Sequence, residues 1–93
     1  MIQSFKCKRT EKLFNRQGNN KFPADIQMRA RVKLLMLHAA IDVTDLRVPP
    51  ANRLEELKGD RKGQYSIRIN GQWRVCFIWK NNNAHDVEIV DYH

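Results

Sequence analysis

Ninety-three residues carry 17 lysines and arginines against 10 acidic residues, a net charge of +7, with 42% hydrophobic and 29% charged content. Such a chain suits one domain, residues 1–93, that buries about 60–68% of its unfolded surface, and it is too apolar to be disordered. No fold requires the charge excess, so it points to a polyanionic partner; no apolar run is long enough for a membrane span or a secretion signal, and a cytoplasmic protein is expected.

Ile2 to Phe5 reads as a short first strand. Thr10 offers an N-cap for a helix over Glu11 to Gln17, which Gly18-Asn19-Asn20 ends. A second helix opens at Pro23, a residue suited to a first helical position, with Asp25 at the positive end of the dipole. Ile26, Ala30, Leu34, Leu37 and Ile41 recur at helical spacing, and the helix runs to about Ala40. His38 sits near its end, where one isolated imidazole is more readily structural than chemical.

Val48-Pro49-Pro50 breaks any helix. Ala51 to Gly63 reads as a loop, with one helical turn at Arg53 to Leu57, and it contains the charged stretch LKGDRKGQ. After Gly63 the period becomes two. Tyr65, Ile67 and Ile69 alternate with Ser66, Arg68 and Asn70, and Trp73, Val75, Phe77 and Trp79 alternate with Arg74, Cys76 and Ile78.

Asn70-Gly71 marks a hairpin, and burial decides its register. A three-residue connection pairs Ile69 with Trp73, Ile67 with Val75 and Tyr65 with Phe77, whereas a two-residue loop sets apolar residues against polar ones. The favoured register also sets Arg68 against Arg74 on the other face. Like charges across a sheet are mildly destabilising. Either an anion lies over that face, or the two stems splay into water. Asn81-Asn82-Asn83 makes a second turn, and Val87, Ile89 and Val90 form a last strand that ends in Asp91-Tyr92-His93. The expected fold class is α+β: two N-terminal helices on one face of a small antiparallel sheet, the other face open.

The chemistry has few sources. Cys7 and Cys76 have neither metal-ligand spacing nor a disulfide framework, and His38, His85 and His93 form no metal motif. No phosphate-cradling glycine loop follows a strand. A basic face beside a terminal carboxylate, phenol and imidazole suits RNA. Cleavage through the 2′-hydroxyl needs a proton acceptor, charge stabilisation at phosphorus and a proton donor for the leaving 5′-oxygen, and no metal.

LKGDRKGQYSIRINGQWRVCFIW, the start MIQSFKCKRTEKLF and the end VEIVDYH together closely resemble the HigB branch of the RelE/ParE superfamily of type II toxins, over essentially the whole chain. The resemblance implies a microbial RNase-like fold and ribosome-dependent, metal- and cofactor-free cleavage of mRNA in the A site, which stops translation. It implies a HigA-like helix-turn-helix antitoxin as partner, with operator DNA met only through the complex, and no membrane. Lys58, Asp91, Tyr92 and His93 match the family's active-site residues, and Arg74 matches its arginine after the tryptophan. Arg68, Arg61 and Lys62 join as phosphate contacts. Glu55 stands where a catalytic histidine is expected, three positions before Lys58. A glutamate of ordinary pKa, near 4.3, is the weaker base. Two other readings are a ParE-like inhibitor of DNA gyrase, and an RNA- or ribosome-binding module with weakened catalysis.

Overall fold

A computed structural model describes residues 1–18 and 20–92. Two helices, α1 (Lys8–Phe14) and α2 (Ala24–Ala39), precede four strands, β1 (Glu55–Glu56), β2 (Gln64–Arg68), β3 (Trp73–Lys80) and β4 (Asn83–Asp91). The strands form one antiparallel sheet in the order β1-β2-β3-β4. Both helices lie on one face, and the α+β layering expected from the sequence is the fold observed.

The core is the seam between helices and sheet. Leu13, Phe22, Ile26, Ala30, Leu34 and Leu37 meet Ile67, Ile69, Val75, Phe77, Val87 and Ile89, all buried. Each large apolar side chain removed from water there contributes about 1.5–3 kcal/mol. The hairpin register is the one that burial favours: Tyr65 faces Phe77, Ile67 faces Val75, and Arg68 faces Arg74. Asn70 shapes the connection, its Oδ1 accepting from the Gln72 and Trp73 amides at 2.8 Å each. Asn81 and Asn82 both take left-handed φ values, 53° and 60°, so the second turn is asparagine-driven as expected, and Asn83 already belongs to β4.

Five expectations are corrected. The first helix starts and ends earlier than Glu11 to Gln17. Arg16, at φ 57°, closes it in a Schellman motif, with Gln17 N donating to Lys12 O at 2.8 Å and Arg16 N to Leu13 O at 3.2 Å. Thr10 is therefore no cap. It is fully buried, and its hydroxyl accepts the Ile89 amide of β4 at 3.0 Å. Ile41 lies beyond α2 and is 77% exposed, because the chain turns away at Ala40 into a 3₁₀ segment, Val43–Arg47, capped reciprocally by Asp42 and Asp45. No helical turn forms at Arg53 to Leu57. Residues 55–56 pair with β2 instead, between 3₁₀ turns at Pro50–Asn52 and Gly59–Arg61.

Ile2 and Phe5 make isolated parallel bridges to Ala84 and Val87 rather than a continuous strand. His38 is structural: its Nδ1 accepts the Ile2 amide at 3.2 Å, which requires that nitrogen to be unprotonated, and its ring lies 5.3 Å from that of Phe14. Asn19, read as part of the helix-ending turn, lies outside the described residues.

Candidate active site

The pleat sorts the sheet residues. Gln64, Ser66, Arg68, Arg74, Cys76, Ile78, Glu88 and Val90 alternate with the core positions and so share the face that carries no helix. Glu55 joins them, being paired with Ser66 across β1–β2.

Arg74 is the centre of this face. Its side chain is only 10% exposed. Nε donates to Ser66 Oγ at 2.8 Å, and Nη2 donates to Arg53 O at 2.7 Å and sits 3.5 Å from Glu55 Oε1. This clamp explains how Arg68 and Arg74 tolerate facing one another. One of the two is neutralised and hydrogen-bonded in place, as a part-buried charge must be. Nη1 has no protein acceptor among the described residues. Arg68 is half-buried and leans over the hairpin turn, its Nη2 3.7 Å from where a Cβ on Gly71 would stand.

Tyr92 completes the cluster. Its amide donates to Gln72 O at 2.6 Å, which anchors the chain beyond the last strand residue. Its ring lies 5.6 Å from the Arg74 guanidinium carbon, within cation–π range, and the residue is 38% exposed, so the ring remains available to a ligand. Asp91 falls on the opposite side of the strand, as alternation demands. It pairs across the sheet with Trp73, whose ring packs on Phe22, and its carboxylate accepts from Gln72 Nε2 at 3.1 Å. The structure thus separates Asp91 from Tyr92, which sequence matching had put in one site. His93 lies outside the described residues.

Lys58 stands exposed at the head of the Gly59–Arg61 turn, beside a depression of about 430 Å³ that Glu56, Leu57, Gly59 and Lys62 also line. Among the described residues it makes no side-chain hydrogen bond or ion pair, so its ammonium is available. Lys62 is likewise exposed. Arg61 is engaged: Nη1 donates to Glu88 Oε1 at 2.9 Å and to Gln64 Oε1 at 3.2 Å. The Glu88 bond raises the Arg61 pKa further. Burial pushes the Cys76 thiol above its usual range, so it stays protonated at neutral pH.

Glu88 and Ser66 were not singled out in the sequence. A charge or a small hydroxyl within an apolar strand was the one signal that could have pointed to them. A larger groove, about 710 Å³, lies elsewhere, between the end of α1 and the start of α2. Among the described residues no group of His, Cys, Asp and Glu is placed to hold a metal ion, and no helix is long and apolar enough to cross a membrane.

Two helices under a four-stranded antiparallel sheet make a RelE-like toxin fold. A chain of the YoeB–YefM complex from Staphylococcus aureus shares it, with a TM-score of 0.60 at 18% identity over 100% of this chain and 98% of that one. The chain belongs to the HigB-like toxins: the family model described as the RelE-like toxin of type II toxin–antitoxin system HigB matches residues 3–93. It is 40% identical over 85 residues to Toxin HigB-1 of Vibrio cholerae serotype O1, covering 90% of both chains. It is 33% identical to the Endoribonuclease HigB of Proteus vulgaris over the full length of both.

Proposed function

We propose that this toxin is an endoribonuclease that cuts mRNA in the ribosomal A site without a metal and so halts translation in the cytoplasm, acting as a single domain. The observation that carries this reading is the meeting of Tyr92, Arg74 and Glu55 on one bare sheet face, with Lys58 exposed three residues along the chain from Glu55. The name of the Proteus vulgaris relative supports the activity class.

Each group has a task in 2′-hydroxyl chemistry. The 2′-oxygen attacks phosphorus, its proton passes to a base, the bond from phosphorus to the 5′-oxygen breaks, and that oxygen takes a proton. Glu55, an exposed carboxylate beside Arg74, is the base. Lys58 and the Nη1 group of Arg74 hold the phosphate as charge builds on its oxygens. Lys62 and Arg68 steer the strand electrostatically. Tyr92 stacks an unpaired base on its free ring face, over a cation that strengthens the stack. His93 protonates the leaving oxygen.

The partner is an antitoxin of the HigA helix-turn-helix kind, through which alone the toxin reaches operator DNA. Co-expression with the adjacent reading frame, followed by pull-down of a tagged toxin, checks this; failure to co-purify contradicts it. For the activity, primer extension on mRNA from cells briefly expressing the toxin is expected to show new 5′ ends in register with codons, absent for Lys58→Ala. Intact mRNA with gyrase-linked DNA breaks points to a gyrase inhibitor, and intact mRNA on stalled ribosomes to a non-cleaving binder.

A further inference from the structure

Arg61 crosses the sheet. Its backbone closes the 3₁₀ turn in the β1–β2 connection, yet its guanidinium reaches past β2 and β3 to Glu88 on β4, at 2.9 Å. Lys6 approaches the same carboxylate oxygen at 3.8 Å. The Glu88 side chain is 17% exposed and that of Arg61 32%, so the bond is partly shielded from water. Below lies Cys76, the strand partner of Glu88. Among the described residues no helix covers this face, but Cys76 is fully buried. The cover comes from neighbours on its own face, with Arg61, Glu88 and Arg74 all close enough to act on the thiol electrostatically.

The turn needs such a tie. Gly59 and Gly63 bound it at φ 67° and 92°, a backbone region that glycine enters freely. Inside it the backbone bonds are few: Arg61 N to Lys58 O at 3.4 Å and Lys62 N to Gly59 O at 3.1 Å. Those bonds couple Arg61 to the carbonyl of Lys58, so whatever holds Arg61 also orients the lysine. With Nη1 already donating to two acceptors, Arg61 would have to give up a partly shielded carboxylate to bind RNA through that group.

We propose that Glu88 is a positioning residue: by holding Arg61 it straps the Lys58-bearing turn across the bare face and fixes where Lys58 stands relative to Tyr92. This rests on the nuclease reading for its consequence, though not for the strap itself. Arg61 thereby moves from the phosphate contacts to the frame that supports them.

The test uses two readouts on the full chain. In a Cys7→Ser background Cys76 is the sole thiol, and its native-state labelling by a maleimide reads whether the cover is closed. Glu88→Gln and Arg61→Gln are expected to speed labelling by roughly tenfold or more, and the double variant no further than either single. An unchanged labelling rate overturns the strap. In cleavage of ribosome-bound mRNA, Glu88→Gln is expected to lower kcat by roughly 10- to 100-fold, the penalty of a misplaced group, with KM nearly constant. In single-turnover reactions with toxin in excess, which read the residual rate that Lys58→Ala leaves, Glu88→Gln should add nothing to the Lys58→Ala loss. Equal losses in both backgrounds would show a general structural role and overturn the positioning claim. So would a raised KM in Arg61→Gln alone, which marks a direct RNA contact. If wild type itself fails to cleave, the nuclease reading falls, and the labelling result still decides the strap.

Discussion

The strand that carries Tyr92 hangs on a threonine seventy-nine residues away in sequence. β4 has β3 on one side only. On its other side the N-terminal segment bridges no further than Phe5 to Val87. The Ile89 amide, facing that gap, would be an orphan donor in a fully buried place were it not for Thr10 Oγ1 at 3.0 Å. Thr10→Val keeps the shape and removes the acceptor. A buried donor left unsatisfied costs about 1–3 kcal/mol. For a domain of this length each kcal/mol lowers Tm by roughly 4–8 °C. The assay is urea unfolding read together with amide exchange. The midpoint should fall with the m-value unchanged, and exchange at Ile89 should accelerate. A variant as stable as wild type, with Ile89 still protected, would refute the idea that this hydroxyl anchors the strand.

Three more perturbations follow from the same geometry. Asn52 is fully buried and satisfied on every side: its Nδ2 donates to Leu46 O and Val48 O, and its Oδ1 accepts from Lys33 at 2.5 Å. Asn52→Ala strips all of these bonds and should cost about 2–4 kcal/mol in a denaturant melt; a loss under about 1 kcal/mol contradicts the network. Glu55→Gln removes the proposed base and one exposed partner of Arg74. Cleavage should fall by about 10²-fold or more while stability moves by less than about 1 kcal/mol, and unaltered cleavage removes Glu55 from the mechanism. Asp42 has its carboxyl pKa lowered by hydrogen bonds from the Thr44 amide and hydroxyl. The folded chain favours the charged form, so the cap's contribution is present above the unfolded pKa and disappears as pH falls through the lowered folded value. A carboxyl NMR titration should find the Asp42 midpoint below the usual carboxylate range, and Thr44→Ala should return it partway; a midpoint at the ordinary value contradicts the cap.

What could be read from the residues divides along a physical line. The hairpin register was legible because a one-residue slip would have moved Ile67, Val75 and Phe77 out of the core, so burial alone decides it. The asparagine turn at 81 and 82 was legible because few other residues accept left-handed φ. Thr10 was misread as a cap because capping is a local signal, whereas its partner is an edge amide on a distant strand. Ile41 kept the helical spacing but lies past the point where the chain leaves the helix. Residues 55–56 carry no strand signal; Glu55-Glu56 pairs because β2 presents an open edge there. The site was legible in part. Tyr92 and Arg74 do share a face, and Glu55 lies with them. Asp91 does not, because successive strand residues point to opposite faces and Asp91 takes the side of Trp73. Glu88 went unnoticed because its significance lies in Arg61, 27 residues away.

The central claim is that the bare sheet face cuts RNA on the ribosome. The direct measurement mixes purified toxin with ribosomes programmed by a defined, end-labelled mRNA and maps the fragment ends. The account predicts cleavage within the A-site codon, 5′ fragments ending in a cyclic 2′,3′-phosphate as attack by the 2′-hydroxyl requires, and loss of cutting in Lys58→Ala and Tyr92→Ala. Intact mRNA on ribosomes that have nonetheless stopped translating would contradict it.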